Sequence, residues 1–345
     1  MGSGAITSIA AAIVAWCSAV AAALPAHARV PHEFYCKRQL RMIVGHEPGN
    51  DYDLAARFLA RYLTRHIPGE PAIIVQNMPA AASIPAANFL YAQAPRDGSV
   101  LGSFSRNVPS QARMGQANVE ADPRRFNWLG ATSHPARVCA RWHTVPIKGP
   151  DDLLVREFIV AGAGAASSLS ILSTVFNHVL GARFCIVQGY KGTADAILAM
   201  ERGEVEGVCM SYLQLRMYED LIRAGKVIFL LRAEESLLPE APGLPSMFDS
   251  ARTDEQRALM RFIFASTEFG RPYVLPPDVP SDRVETMRNA FAEALADPEL
   301  VAEAAKLKID MTFRPPQRLE QLVAHLYETP QPLIETVRKL VPSVR

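Results

Sequence analysis

Three short stretches of the chain join small residues to a following helical pattern, an arrangement that lets backbone amides close around an anion. They are Glu47-Pro48-Gly49-Asn50-Asp51-Tyr52-Asp53, Asn77-Met78-Pro79-Ala80-Ala81-Ala82-Ser83 and Ala161-Gly162-Ala163-Gly164-Ala165-Ala166-Ser167-Ser168. Each lies where a strand pattern gives way to a helix, the edge at which open α/β sheets take ligands. Small side chains let the backbone approach a bound group, and the free N–H groups and positive end of the helix favour negative charge. A carboxylate gains about 1.5–3 kcal/mol from each charge-assisted hydrogen bond. Three or four such bonds from two lobes offset the costs of ordering and closure and still give micromolar binding. Any one loop reads equally well as a tight turn; the set of three carries the inference.

Catalytic chemistry finds less support. The chain has no GxSxG elbow, phosphate loop or HExxH helix. Gly162-Ala-Gly164-Ala-Ala-Ser167 lacks the third glycine and the later acidic residue of a dinucleotide loop, so NAD binding is excluded and no cofactor is expected. The 8 histidines are scattered, His46, His134 and His143 among them, and read as structural or exposed. The enzyme alternative is an exported hydrolase using Ser83 or Ser168 with one of these histidines. The expectation is a binding protein and not an enzyme.

The elements that must position these loops follow from periodicity. Leu40–Val44, Ile73–Gln76 and Val100–Phe104 read as strands. Between the first two, Asp51–His66 reads as a helix burying Leu54, Ala55, Phe58, Leu59, Tyr62 and Leu63 on one face. Asn50 is its N-cap, with Asp53 as the capping-box acid, and Ser83 caps the helix that starts at Ile84. After a loop-rich stretch over 106–135 a second series begins, with strands at Phe158–Ala161, Phe184–Val187, Val205–Met210 and Val227–Leu231. Its helices, Ser168–Leu180, Thr193–Arg202 and Tyr212–Ala224, are each stopped by a glycine. A capping box at Thr253–Gln256 opens a largely helical tail, interrupted by an extended passage from Arg271 to Pro280. The fold class is α/β, with largely parallel strands in two units that the chain crosses between more than once.

Composition sets the outer limits. With 345 residues, 49% of them hydrophobic, the chain suits two domains with a substantial core. A formal net charge of +1, with both signs interspersed, gives no basic stripe for nucleic acid. Residues 1–28 hold no Lys, Arg, Asp or Glu and end in Ala26-His27-Ala28, a small-x-small processing pattern. They read as a signal peptide cleaved after Ala28, with an uncleaved anchor as the alternative. Without Cys17 of the leader, Cys36, Cys139, Cys185 and Cys209 remain, allowing three full pairings. They read as buried small apolar residues, with one bridge possible.

The ordered strings PGNDYDLAARFLARYL, IIVQNMPAAAS, APRDGSVLGSFSR, GYKGTADAILAMERGEVEG and RPYVLPPDVPSDRV resemble those of one family over most of residues 34–345. That family is the tripartite tricarboxylate transporter substrate-binding receptors, also called Bug proteins. The resemblance implies a two-lobed type II periplasmic-binding fold closing on a carboxylate-bearing solute. It implies lobes of residues 29–133 plus 268–345 and of residues 134–267. It implies a monomer in the periplasm that serves the membrane subunits of a transporter, or a sensor kinase in their place. Carried over by motif, the binding residues fall on Pro48, Gly49, Asn50 and Asp53, on Ala80, Ala81, Ala82 and Ser83, and on Ser105 and Arg106. The second lobe contributes Gly164, Ser167 and Ser168, then Tyr190, Lys191 and Gly192. Arg106 is the candidate partner for a second carboxylate. Asn50 replaces a family glycine and tolerates the left-handed region. Ala80, Ala81 and Ala82 replace Gly-Ala-Gly, and each methyl group resists positive φ.

Overall fold

The computed structural model describes residues 30–133, 136–164, 167–235, 237, 238 and 241–340. The expected leader, His134, Ala165 and Ala166 lie outside the described residues.

Among the described residues ten strands form two sheets. They are β1 (Gln39–Val44), β2 (Ala72–Asn77), β3 (Val100–Ser103), β4 (Asn127–Ala131), β5 (Arg137–Trp142), β6 (Phe158–Gly162), β7 (Phe184–Gln188), β8 (Gly207–Ser211), β9 (Val227–Arg232) and β10 (Pro272–Leu275). The first sheet has the order β2-β1-β3-β10-β4 and the second β7-β6-β8-β5-β9. Strands β1, β2 and β3 are mutually parallel, as are β6, β7 and β8. Two strands run against this direction: β10 is antiparallel to β3 and β4, and β5 to β8 and β9.

Those reversals set the geometry of the site. Because β10 is antiparallel, its first residues lie beside the ends of β3 and β4, with Tyr273 opposite Ser103 and Pro272 opposite Ala131. Because β5 is antiparallel, its first residue, Arg137, lies opposite Ser211 at the end of β8. The chain leaves the C-terminal edge of the first sheet at Ala131 and joins the same edge of the second at Arg137. A connection of this length reaches at most about 20 Å, so the ligand-taking edges of both sheets are held close to one another.

Helix Asp51–His66 buries Ala55, Phe58, Leu59, Tyr62 and Leu63 against β1 and helix Ser281–Ala296, whose Met287 and Phe291 are also buried. Leu54, expected on that face, is 52% exposed. Helix Asp254–Phe269 links the two sheets. Its Phe264 ring meets Phe176 of helix Ser168–Leu180 at 5.8 Å, and its Phe269 ring meets Trp128 of β4 at 5.5 Å. At its end Gly270 adopts φ +58, and a Cβ there would come within 2.1 Å of the Ser133 carbonyl oxygen. The two connections between the sheets are therefore in backbone contact, and only glycine fits between them.

Strand β4 lies within the stretch expected to be loop-rich, and β5, just beyond it, was assigned no element, since neither follows an alternating pattern; β4 is buried along nearly its whole length. The helix expected over Tyr212–Ala224 is two short helices, Tyr212–Arg216 and Glu219–Arg223. Cys139 and Cys209, at paired positions on β5 and β8, form a disulfide, whereas Cys36 and Cys185 are free. This is the one bridge the sequence left possible, and both its cysteines are buried; the reading as buried residues is corrected for Cys36, which is exposed, and for Cys185, which is half-buried. The bridge closes a loop with a sequence separation of 70, which by loop entropy stabilises the fold by about 4 kcal/mol. Replacing both Cys139 and Cys209 by Ala should lower denaturant stability by that order. An unchanged midpoint would show that the two sulfurs are not bonded.

Candidate functional site

The first loop is organised around one buried carboxylate. Asn50 caps helix Asp51–His66 as expected, its Oδ1 accepting from the Tyr52 amide at 2.9 Å. Asp53 reaches one residue further back than a capping box would, accepting from the Gly49 amide at 2.8 Å. The same carboxylate accepts from Arg57 Nε at 3.0 Å and from Asn77 Nδ2 at 2.8 Å. Asn77 donates also to the His46 carbonyl at 3.0 Å and accepts from Arg57 Nη2 at 2.9 Å. The ends of β1 and β2 and the first turn of the helix are thus tied through Asp53, whose exposure is 1%. Burial raises its pKa, but the bonds from Arg57, the Gly49 amide and Asn77 outweigh that and hold it below the usual carboxylate range.

This wiring uses groups that were expected to face an anion. The Gly49 amide is engaged by Asp53 and the Asn50 amide by the Glu47 carbonyl. Pro48 has no N–H to offer. Asp51, exposed at the helix start, pairs with Arg271 at 3.4 Å. The Gly49 and Asn50 amides of the loop after β1 are therefore engaged within the protein.

The second loop is different. Ala80, Ala81, Ala82 and Ser83 all have positive φ, at 142, 39, 54 and 72°. Ala81–Ser83 is a single 3₁₀ turn closed by bonds from Ser83 N to Ala80 O and from Ile84 N to Ala81 O. The Ala81 and Ala82 amides have no partner among the described residues, so this is the loop that offers free donors. Ser83 does not cap the next helix. Its hydroxyl donates instead to the Gly45 carbonyl at 2.7 Å and lies 3.4 Å from His46 Nδ1. A Cβ at Gly45 would come within 2.5 Å of Ser83 Cβ, which is why the end of β1 needs glycine there. His46 stacks on Tyr52 at 3.9 Å. Burial and Arg106 both lower its pKa, against Asp51.

Beyond β3, Ser105 is buried, its hydroxyl accepting from the Asn107 amide at 3.3 Å. The Arg106 amide donates to Tyr52 Oη at 3.3 Å, and Tyr52 Oη donates to the Gly270 carbonyl at 3.3 Å. The Arg106 guanidinium, partly exposed, makes no hydrogen bond or ion pair among the described residues. In the second sheet, the Gly164 amide donates to Gln188 Oε1 at 2.7 Å, and Ser167 Oγ accepts from the Ala163 amide at 3.3 Å. Ser168 opens helix Ser168–Leu180. After β7, the Tyr190 amide donates to the Gly162 carbonyl and the Lys191 amide to Asp195 Oδ2 at 3.1 Å, while Gly192 precedes helix Thr193–Glu201. These loops share the C-terminal edge of the second sheet with the start of β5.

Two residues at that edge were missed by sequence reasoning. Arg137, the first residue of β5, is partly exposed, yet its Nη1 is buried with no partner among the described residues. Burial lowers its pKa, Arg106 lowers it further, and Glu234 opposes both. Glu234, 2% exposed just beyond β9, accepts from the Arg137 amide at 2.7 Å through Oε1 and has no partner for Oε2. Burial pushes its carboxyl up to about 7, and Glu268 adds to the rise. No motif marks either residue; the signal is the antiparallel placement of β5, which only the assembled sheet reveals.

Among the described residues no group of His, Cys, Asp and Glu could hold a metal ion. The arrangement offers free amides, small hydroxyls and guanidinium groups at the meeting edges of two sheets, which is anion-binding chemistry.

Two consequences are measurable. Asp53→Ala should cost about 1–3 kcal/mol in chemical denaturation, because it leaves several donors unsatisfied. Since the Asp53 carboxyl is held low, its contribution is present above pH ~4 and fades as pH falls through the folded-state value. Ala80, at φ 142° and ψ 158°, sits where glycine alone is comfortable, so Ala80→Gly should raise stability by about 1–3 kcal/mol. A loss of stability there would contradict the backbone described.

No family model matches the chain. A "UPF0065 protein in gbd 5'region" from Cupriavidus necator is 24% identical over 324 residues, covering 91% of each sequence. Among solved structures, a TctC solute-binding protein from Polaromonas superposes with a TM-score of 0.66 at 16% identity, covering 90% of this chain and 99% of that one. The R. palustris protein Rpa4515, solved with adipate, gives a TM-score of 0.50 at 17% identity, over 88% of this chain and 97% of that one. The chain is thus similar over nearly its whole length to the UPF0065 protein of Cupriavidus necator and has the two-lobed fold of the Polaromonas TctC solute-binding protein, the fold its ordered motifs imply.

Proposed function

We propose that the protein is an exported receptor that captures a small carboxylate-bearing anion between two lobes, residues 29–133 plus 268–345 and residues 134–267. The observation that carries this reading is the meeting of the two C-terminal sheet edges. The free Ala81 and Ala82 amides and the unpaired Arg106 stand at that edge of one sheet, and Arg106 is close enough to Arg137, at that edge of the other, to lower its pKa. A carboxylate held by the amides and by the Arg106 fork gains charge-assisted bonds from both. Adipate, the ligand of Rpa4515, is an acid of this class. Export rests on residues 1–28, read as a leader removed after Ala28. The receptor then acts as a monomer that hands its solute to the membrane subunits of a tripartite transporter.

Catalysis has no part in this reading. Ser83 and His46 approach as a hydrolase pair would, at 3.4 Å, but the Ser83 hydroxyl donates to the Gly45 carbonyl at 2.7 Å and is 1% exposed. A nucleophile needs its proton directed at the base and its oxygen directed at substrate; here both are turned into the protein.

The test is a thermal-shift screen of the purified protein against succinate, malate, adipate, citrate, benzoate and glutamate. A ligand at a hundred times its Kd stabilises by about 2.7 kcal/mol and raises the midpoint accordingly. At least one acid should do so and be recovered chemically unchanged. A folded protein silent to the whole panel, or turnover of the acid that binds, would count against the proposal.

A further inference from the structure

The loops already described leave the charge of Arg137 unexplained. Arg137 stands at the ligand-taking edge of the second sheet, on the strand that reverses direction there. Its Nη1 is shut off from solvent without a hydrogen-bond partner, and Arg106, from the edge of the other sheet, is close enough to depress its basicity. A cation in this position normally pairs with a carboxylate. The nearest one is not placed to do so: Glu234 gives Oε1 to the backbone amide of Arg137, and its Oε2 is likewise buried without a partner. Glu234 thus meets Arg137 through the backbone amide, while Arg137 Nη1 and Glu234 Oε2 each stay buried without a partner.

Resting on the reading of the protein as a carboxylate receptor, we propose that Arg137 is the second lobe's anion-binding residue and that Glu234 is a proton-accepting group set behind it. The anion compensates Arg137 from the front, opposite Arg106. Glu234, when ionised, opposes the anion from behind; when protonated, it leaves the full positive charge to the ligand.

Several groups face Glu234. Arg137 on β5 favours its ionised form, as does Arg314, whose own pKa burial lowers and Glu234 raises. Glu268 at the end of helix Asp254–Phe269 disfavours it and is itself paired with Arg318 of helix Pro316–Glu328. Ser246 Oγ donates to the Glu234 carbonyl at 2.8 Å. With burial dominant, the carboxyl titrates at about 7. The sign follows from linkage: an anion bound at Arg137 raises the Glu234 pKa further, so binding takes up a proton. Affinity therefore rises as pH falls from about 8 to about 6, a window in which simple carboxylic acids stay ionised.

The experiment is calorimetry at pH 6, 7 and 8 with the acid of highest affinity among succinate, malate, adipate, citrate, benzoate and glutamate. It compares the wild-type protein with Arg137→Gln, Arg137→Lys and Glu234→Gln. Arg137→Gln should weaken binding about tenfold to a hundredfold, with Arg137→Lys losing less. Wild-type affinity should improve about three- to tenfold from pH 8 to pH 6 with net proton uptake, and Glu234→Gln should bind at the pH 6 strength throughout. Wild-type affinity in Arg137→Gln, or an unchanged pH slope in Glu234→Gln, overturns this inference and leaves the receptor reading standing. Failure of the wild-type protein to bind any of the acids overturns both. If Arg137→Gln does not fold, Arg137→Lys and the slope of Glu234→Gln still decide the matter.

Discussion

The Asp53 carboxylate sits where β1, β2 and the helix between them converge, and it accepts hydrogen bonds from all three directions. An isolated carboxylate at this depth would be costly, so its ionisation requires Gly49, Arg57 and Asn77 in place together. The requirement runs in both directions. With Asp53 satisfied, the loop after β1 is fixed, His46 is held against Tyr52, and Tyr52 can reach both the Arg106 amide and the Gly270 carbonyl. One ionised group thus fixes the end of the first sheet, the position of Arg106 and the contact with the connection between the sheets.

That connection is built as tightly as the loop. Gly270 touches the Ser133 carbonyl, and Arg271 donates to Thr132 and to the Asp310 carbonyl while pairing with Asp51. Helix Asp254–Phe269 closes the arrangement by packing on helix Ser168–Leu180 through Phe264 and on β4 through Phe269. The edges that carry the amides and guanidinium groups are positioned by these contacts and not by the loops' own stiffness. In the receptor proposed above, few residues would be committed to the ligand, while these contacts fix the frame around them.

Much of this was legible from residue order. The alternation of apolar runs and helical patterns placed β1, β2, β6 and β7 and helix Asp51–His66 within a residue or two, because periodicity reports burial directly. The three loops also lie at helix starts as the small-residue pattern suggested. Local pattern failed where tertiary placement decides. Strand β4 is buried on both faces and lacks alternation, so it passed for loop, while β5, also without alternation, was assigned no element, and with it went Arg137. The capping box was half right: Asp53 reaches the Gly49 amide, since Asn77, 24 residues later, pulls the carboxylate sideways. Positive φ at Ala80–Ser83 ran against the intrinsic preference of alanine, and close packing against Gly45 overrode it. The Cys139–Cys209 bridge depended on the register of two antiparallel strands, which cysteine spacing does not encode.

The account turns on the claim that the anion lies between the two sheet edges and touches both. A crystal structure of the protein with its tightest carboxylate bound tests that most directly. The account predicts carboxylate oxygens within hydrogen-bond reach of the Ala81 or Ala82 amide on one side and of a second-sheet group at the edge of β5, β6 or β7 on the other. An acid held by one sheet alone, or seated among the helices away from both edges, would contradict it.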